Sequence, residues 1–182
     1  MKDEDIFKDL NKLSKQDSIY KSDLLAILKK YGRTVSPFDL MQATNLLQED
    51  GKYIQDSYRD KFLKTYLRYF IIRLKDILNN DDDVDGTVNK ELFDKSLDKL
   101  ENQFHKESRE TKKNSKFPLI YTLTSLYSTF IMEEPIHPEG SEFPGNQKVY
   151  KEKGTYYCPV KKNQMKNPNA LCKFCLAKQM PK

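Results

Sequence analysis

"KFLKTYLRYFIIRLKDILN", residues 61–79, decides the fold class. Phe62, Leu63, Tyr66, Leu67, Tyr69, Phe70, Ile71, Ile72 and Leu74 place apolar side chains on every side of a helix. A helix that is apolar all round is normally enclosed by other helices. The segment from about Lys52 to Asn79 is therefore expected as the central helix of a mainly α protein. Upstream, "SIYKSDLLAILKKYG" (18–32) gathers Ile19, Tyr20, Leu24, Ile27, Leu28 and Tyr31 on one face, with Gly32 placed as a C-terminal stop. "SPFDLMQATNLLQEDG" (36–51) starts with Ser36 as N-cap, Pro37 at the first helical position and Asp39 in the first turn, and ends at Gly51. Downstream, Thr87 to about Lys113 is amphipathic through Val88, Leu92, Leu97, Leu100 and Phe104. A less polar helix, "FPLIYTLTSLYSTFIM" (117–132), follows it. Alternating strand patterns are missing before residue 143. The expectation is a bundle of about five or six helices over residues 1–133, with an irregular, Cys-containing segment or small hairpin over 134–182.

Composition agrees with one packed domain. The 182 residues include 11 Tyr and 10 Phe, which bury large areas and offset a charged fraction of 32%. Three cysteines, no basic-then-apolar leader and no apolar run of membrane-spanning length lead to the expectation of a soluble, reduced, cytoplasmic protein. The net charge of +5 resides in the tail, where residues 135–182 carry nine Lys against three Glu. Such a surplus could attract nucleic acid. It contains no Arg, however, and Arg is the residue that forks onto phosphate and guanine.

The helical body offers no catalytic set. His105 is its only histidine and sits among charged neighbours. "DDDVDGTVNKEL" (81–92) imitates a calcium loop, with Asp81, Asp83 and Asp85 at positions one, three and five and Gly86 at six. Position twelve must supply a bidentate carboxylate but is Leu92, and Glu91 falls one place early. That single residue is a rotation of about 100° on the exiting helix. Calcium is therefore not expected; an acidic turn with Thr87 capping the next helix is.

From Pro135 the pattern changes to Pro, Gly and Lys without helical periodicity, and such a stretch needs a staple to hold one shape. "YYCPVKKNQMKNPNALCKFCLAKQ" (156–179) holds all three cysteines, Cys158, Cys172 and Cys175. Cys172 and Cys175 have the C-x-x-C spacing that lets two thiolates meet on one ion. Tyr157-Cys158-Pro159-Val160-Lys161 and Phe174-Cys175-Leu176-Ala177-Lys178 share a pattern of aromatic, Cys, any residue, small apolar and Lys. A structural zinc takes four ligands, and His137 is the candidate fourth. Zinc fits a Cys3His tetrahedron, and an iron–sulfur cluster is the alternative cofactor if the fourth position is open. Reduced structural cysteines and a redox C-x-x-C are the competing readings. Glu139, Glu142 and Glu152 are the nearest carboxylates for acid–base work should the site be catalytic.

The run "FPGNQKV…YYCPVK…ALCKFCLAKQ", preceded by "IHP", resembles the C-terminal signature of an uncharacterised archaeal family, found chiefly in methanogens and known as a domain of unknown function. The matching positions are His137, Pro138, Phe143, Pro144, Gly145, Tyr157, Cys158, Pro159, Lys161, Cys172, Cys175, Lys178 and Gln179. Leu176 departs from the Pro that follows the last cysteine in that family. The resemblance covers about residues 135–180. It implies an anaerobic cytoplasm, where iron–sulfur ligation is viable, and implies no particular activity. Three readings follow. The first is a binding or regulatory protein with a metal-organised tail, acting on a partner that the sequence leaves unnamed. The second is a metal-dependent enzyme with its site at the tail–body junction, and the third is a nucleic-acid binder.

Overall fold

The computed structural model describes residues 2–51, 56–80, 84–110, 115–143, 145–166 and 174–181. The body comprises α1 (Asp5–Ser14), α2 (Lys21–Gly32), α3 (Pro37–Gly51), α4 (Asp56–Asn79), α5 (Lys90–Glu110) and α6 (Phe117–Leu126). α6 continues as a π-helical turn, Tyr127–Ile131. The tail carries β1 (Glu142–Phe143), β2 (Gln147–Lys148), β3 (Tyr150–Glu152), β4 (Thr155–Cys158), the one-turn α7 (Lys161–Gln164) and β5 (Lys178–Gln179). The protein is mainly α, as expected. Among the described residues, however, eight helical segments and two small sheets replace a simple bundle of five or six helices.

α1, unmarked by any strong cap, forms because Ile6, Phe7, Leu10 and Leu13 make a buried stripe at helical spacing. It leads into α2 through a loop that pairs with the chain before α5. Val88 donates its amide to the Ile19 carbonyl at 2.9 Å, and Lys21 donates to the Gly86 carbonyl at 3.0 Å. Gly86, at φ +98°, makes the turn that allows this pairing. The imitation calcium loop thus serves as a strut between two helix starts. Glu91 is solvent-facing and ion-paired with Lys95 at 2.5 Å, while Leu92 packs against the core. Asp81 and Asp83 lie outside the described residues. The cap of α5 is Asn89, whose side chain accepts the Leu92 amide at 2.8 Å, and not Thr87.

Gly32 does not stop α2 by a left-handed turn, because Arg33 behind it remains right-handed helical. Its role is a close approach between helices. A Cβ there would stand 3.3 Å from Leu78 Cδ2 and 3.6 Å from Leu74 Cδ1 on α4. The start of α3 is as expected: Ser36 Oγ accepts the Asp39 amide at 3.2 Å, and Asp39 accepts the Ser36 amide at 2.8 Å. Replacing Ser36 with Ala removes one half of this reciprocal cap and is expected to cost about 1 kcal/mol in chemical denaturation.

Among the side chains described, α6 and not α4 is the more completely buried helix; those of Phe62, Tyr66 and Leu67 on α4 lie outside the described residues. Except at Tyr121, every residue from Phe117 to Ile131 is buried, whereas Ile71 and Ile72 on α4 are 48% and 40% exposed. α6 carries Thr and Ser residues into this buried setting. The hydroxyls of three of them bond back to their own helix: Thr122 to the Pro118 carbonyl at 2.9 Å, Thr124 to Ile120 at 2.9 Å and Ser128 to Thr124 at 2.7 Å. Small hydroxyl residues that satisfy themselves on the backbone let the helix sit where no water reaches.

In the tail, β1 and β2 form an antiparallel hairpin, with Glu142 opposite Lys148. β3 and β4 form a second, with Glu152 opposite Thr155. Lys153 and Gly154 between them both have positive φ, +46° and +78°, which is the two-residue turn that matches strand twist. β5 adds in parallel to the other side of β4, with Cys158 opposite Gln179. The tail docks on the body through Ile136 and Phe174, both buried in the main cluster, and through a Lys61–Glu142 ion pair at 3.1 Å.

Candidate metal centre and adjoining cleft

Cys158 ends β4 and is buried in a small cluster with Val149 and Ala177, against which Cys175 packs. Two of the three candidate cysteine ligands therefore come together. Burial pushes the Cys158 thiol up, and the neighbouring Cys175 adds to this, while the backbone amides of Val160 and Lys161 donate to its sulfur and pull the other way. Amides aimed at a cysteine sulfur from two and three residues downstream are the support that a metal-bound thiolate needs.

The two cysteine turns lock into each other. Lys161, from the first, donates its ammonium to the carbonyls of Cys175 (2.7 Å) and Ala177 in the second. Gln179, from the second, donates to the Pro159 carbonyl at 3.0 Å and accepts the Lys162 amide at 2.6 Å in the first. Met180 closes the arrangement by donating to the Cys158 carbonyl at 3.0 Å. The similarity of the two five-residue patterns was legible in the sequence. The crossed lock was not, because it depends on which turn Lys161 and Gln179 each face.

His137 is half-buried, with its ring edge-on to Phe143 at 5.4 Å between centroids. Phe143 in turn packs on the Cys158 cluster. Burial lowers the imidazole to about 4, so it is neutral at neutral pH, the form that ligates metals. Cys172 lies outside the described residues. Among those described, no three His, Cys, Asp or Glu side chains gather into a group that could hold a metal ion.

The depressed His137 value has a consequence for stability. Its folded value is below the unfolded one, so the unfolded chain takes up the proton first. Stability in metal-free protein is then fully present above pH ~6.5 and lost as pH falls toward 4, by at most about 1.4 kcal/mol per pH unit. Urea unfolding across this range, flattened by His137→Asn, measures it.

The three tail glutamates are placed as follows. Glu142 is held below the usual carboxylate range by Lys148 and Lys61, at 2.9 and 3.1 Å, which suits a strut and not a proton donor. Glu139 is exposed and accepts the Lys151 amide at 3.2 Å. Glu152 is exposed on β3. His105 is exposed, 3.9 Å from Glu101. The lysine surplus is partly spent inside the tail, with Lys161 in the lock, Lys148 on Glu142 and Lys151 over the Tyr156 ring.

Beside this centre lies a cleft of about 410 Å³, lined from α4 by Lys64, Tyr69, Ile72 and Arg73 and from the tail by Pro138, Glu139 and Gly140. Tyr69 joins the two features. Burial raises its phenol to about 12, and Cys175 is near enough to add to that shift. Its hydroxyl meets Ser128, and the Arg73 guanidinium stands 5.5 Å over its ring. Arg73 is ion-paired with Glu134 and, at 3.4 Å, with Asp76. Glu134 is aimed there by a reversal at Glu133, which takes a left-handed φ of +54°. Glu139 was a candidate from the sequence, whereas the cleft residues contributed by α4 were not singled out as a site. The available signal was a lone Arg inside the apolar run "YFIIRLKDIL".

No helix among the described residues is long and apolar enough to cross a membrane. The family profile described as an uncharacterised protein conserved in archaea, DUF2115, matches residues 20–180. Similarity thus extends through the body and beyond the tail in which it was first seen. A UPF0305 protein of Methanothermobacter thermautotrophicus is 35% identical over 156 residues, which is 86% of this chain and 94% of that one. Another, from Methanocaldococcus jannaschii, is 31% identical over 159 residues, covering 87% and 95%. A third, from Methanopyrus kandleri, is 30% identical over 126 residues, covering 69% and 86%. No solved structure matches the chain. With the match running over nearly its whole length, the chain belongs to the archaeal DUF2115 family.

Proposed function

We propose that Cys158, Cys172, Cys175 and His137 hold a structural zinc that fastens the tail to the helical body, and that the fastened tail serves a binding or regulatory role. The observation that carries this reading is the crossed lock. Lys161 and Gln179 each grip the other cysteine's turn, and two amides point at the Cys158 sulfur. Small apolar packing alone has no use for amides directed at a thiol. A neutral His137 agrees with ligation.

A second reading is a metal- or iron–sulfur-dependent enzyme with its site at the tail–body junction. The cleft favours it, since Tyr69 borders both the cleft and Cys175. Nucleic-acid binding through the Lys-rich tail receives less support, because several of those lysines are engaged within the tail.

The test is elemental analysis of anaerobically purified protein together with its optical spectrum. Colourless protein with one zinc per chain is the expected result. A brown chromophore would move the account to the cluster-bearing enzyme. Zinc and iron together below one atom per chain would remove both readings.

A further inference from the structure

We propose that the cleft between α4 and the loop at residues 138–140 binds a small organic anion, its charged head on the Lys64–Arg73 wall and its apolar part against Tyr69, Ile72 and Pro138. The size fits: about 410 Å³ lies in the range of small-ligand pockets. So does the lining, which is apolar side-chain surface with a few convergent polar groups.

The charge distribution selects the ligand class. Lys64 is exposed at the cleft and has no ion-pair partner among the described residues. Arg73 is 12% exposed, with its planar group fixed over Tyr69 and held by Glu134 and Asp76. Its Nε–H is buried without an acceptor among the described residues. The guanidinium edge that lines the cleft is shaped for carboxylate or phosphate oxygens. On the opposite wall Glu139, the one carboxylate lining it among the described residues, is turned to the Lys151 amide. Ile72, 40% exposed, sits inside this cleft, where an apolar ligand body would cover it.

The inference goes beyond the metal reading and does not depend on it. Lys64, Tyr69, Ile72 and Arg73 all come from one helix of the body. It would supply the substrate class if the enzyme reading holds.

The test is an NMR titration of the full chain, as purified, with benzoate and phenyl phosphate. Benzyl alcohol serves as the uncharged probe and inorganic phosphate as the probe without an apolar body. Saturable shifts at Tyr69, Ile72 and Gly140 are expected with one or both organic anions, and which of the two binds more tightly identifies the head group. Lys64→Gln, at an exposed position, is expected to weaken that binding roughly tenfold. Arg73→Lys, which retains the charge facing Glu134 but removes the guanidinium edge, should weaken it as well. Each variant's own spectrum reports whether it is folded. Equal shifts with benzyl alcohol, unchanged affinity in Lys64→Gln, or no saturation in the millimolar range would overturn the proposal.

Discussion

Phe93→Ala will cost about 3–5 kcal/mol of unfolding free energy. Phe93 is 0% exposed in the first turn of α5. Its ring meets Phe130 edge-to-face at 5.3 Å, and Phe130 belongs to the π-helical turn that extends α6. Truncation therefore opens a cavity where the loop paired with α2, the start of α5 and the end of α6 converge. Close-packed surroundings relax only in part around such a cavity, so the transfer loss and the void add. Urea unfolding at neutral pH measures the effect. The comparison is Ile71→Ala, which removes a large apolar group that is 48% exposed on α4. If α6 is the more completely buried helix, that variant loses less than ~1 kcal/mol. Losses of similar size in the two variants would contradict the placement of the core.

If Cys158 is a zinc ligand, as proposed, Cys158→Ser is expected to abolish metal binding and release the tail while leaving the body helical. Serine places a hydroxyl among Val149 and Ala177 and removes the sulfur toward which the Val160 and Lys161 amides point. On that reading the loss in metal affinity exceeds the roughly 10–100-fold that follows from losing a supporting residue alone, because the proposed ligand itself is gone. Structural zinc contributes its binding free energy to folding, so amide protection in β3, β4 and β5 should collapse. The buried faces of α1, α2, α5 and α6 belong to a cluster that does not contain Cys158, and far-ultraviolet circular dichroism should remain close to that of the parent. A variant that keeps its metal, or one that loses body and tail together, would contradict this division.

How much of this was legible in the sequence follows from where each kind of information resides. The cap at Ser36 and the end at Gly51 were readable because they depend on neighbours within one turn. The amphipathic face of α5 was readable because burial repeats at helical spacing. The deeper burial of α6 was not. Apolar content pointed to α4, but Thr122, Thr124 and Ser128 are buried by satisfying themselves on their own backbone, which composition registers as polar. α2 ends at Gly32 as expected, but its lack of a side chain also serves a helix crossing 42 or more residues away in sequence, which local punctuation cannot express. At the candidate site, Cys158 and Cys175 were legible from their paired patterns. The Lys161–Gln179 lock and the Arg73–Glu134 pair required knowing which turns face each other.

The measurement that tests the central claim most directly is zinc X-ray absorption on anaerobically purified protein. The account predicts a zinc edge whose nearest neighbours fit three sulfurs at about 2.3 Å and one nitrogen at about 2.0–2.1 Å. A shell of oxygen and nitrogen without sulfur, or protein with no zinc edge at all, would contradict it.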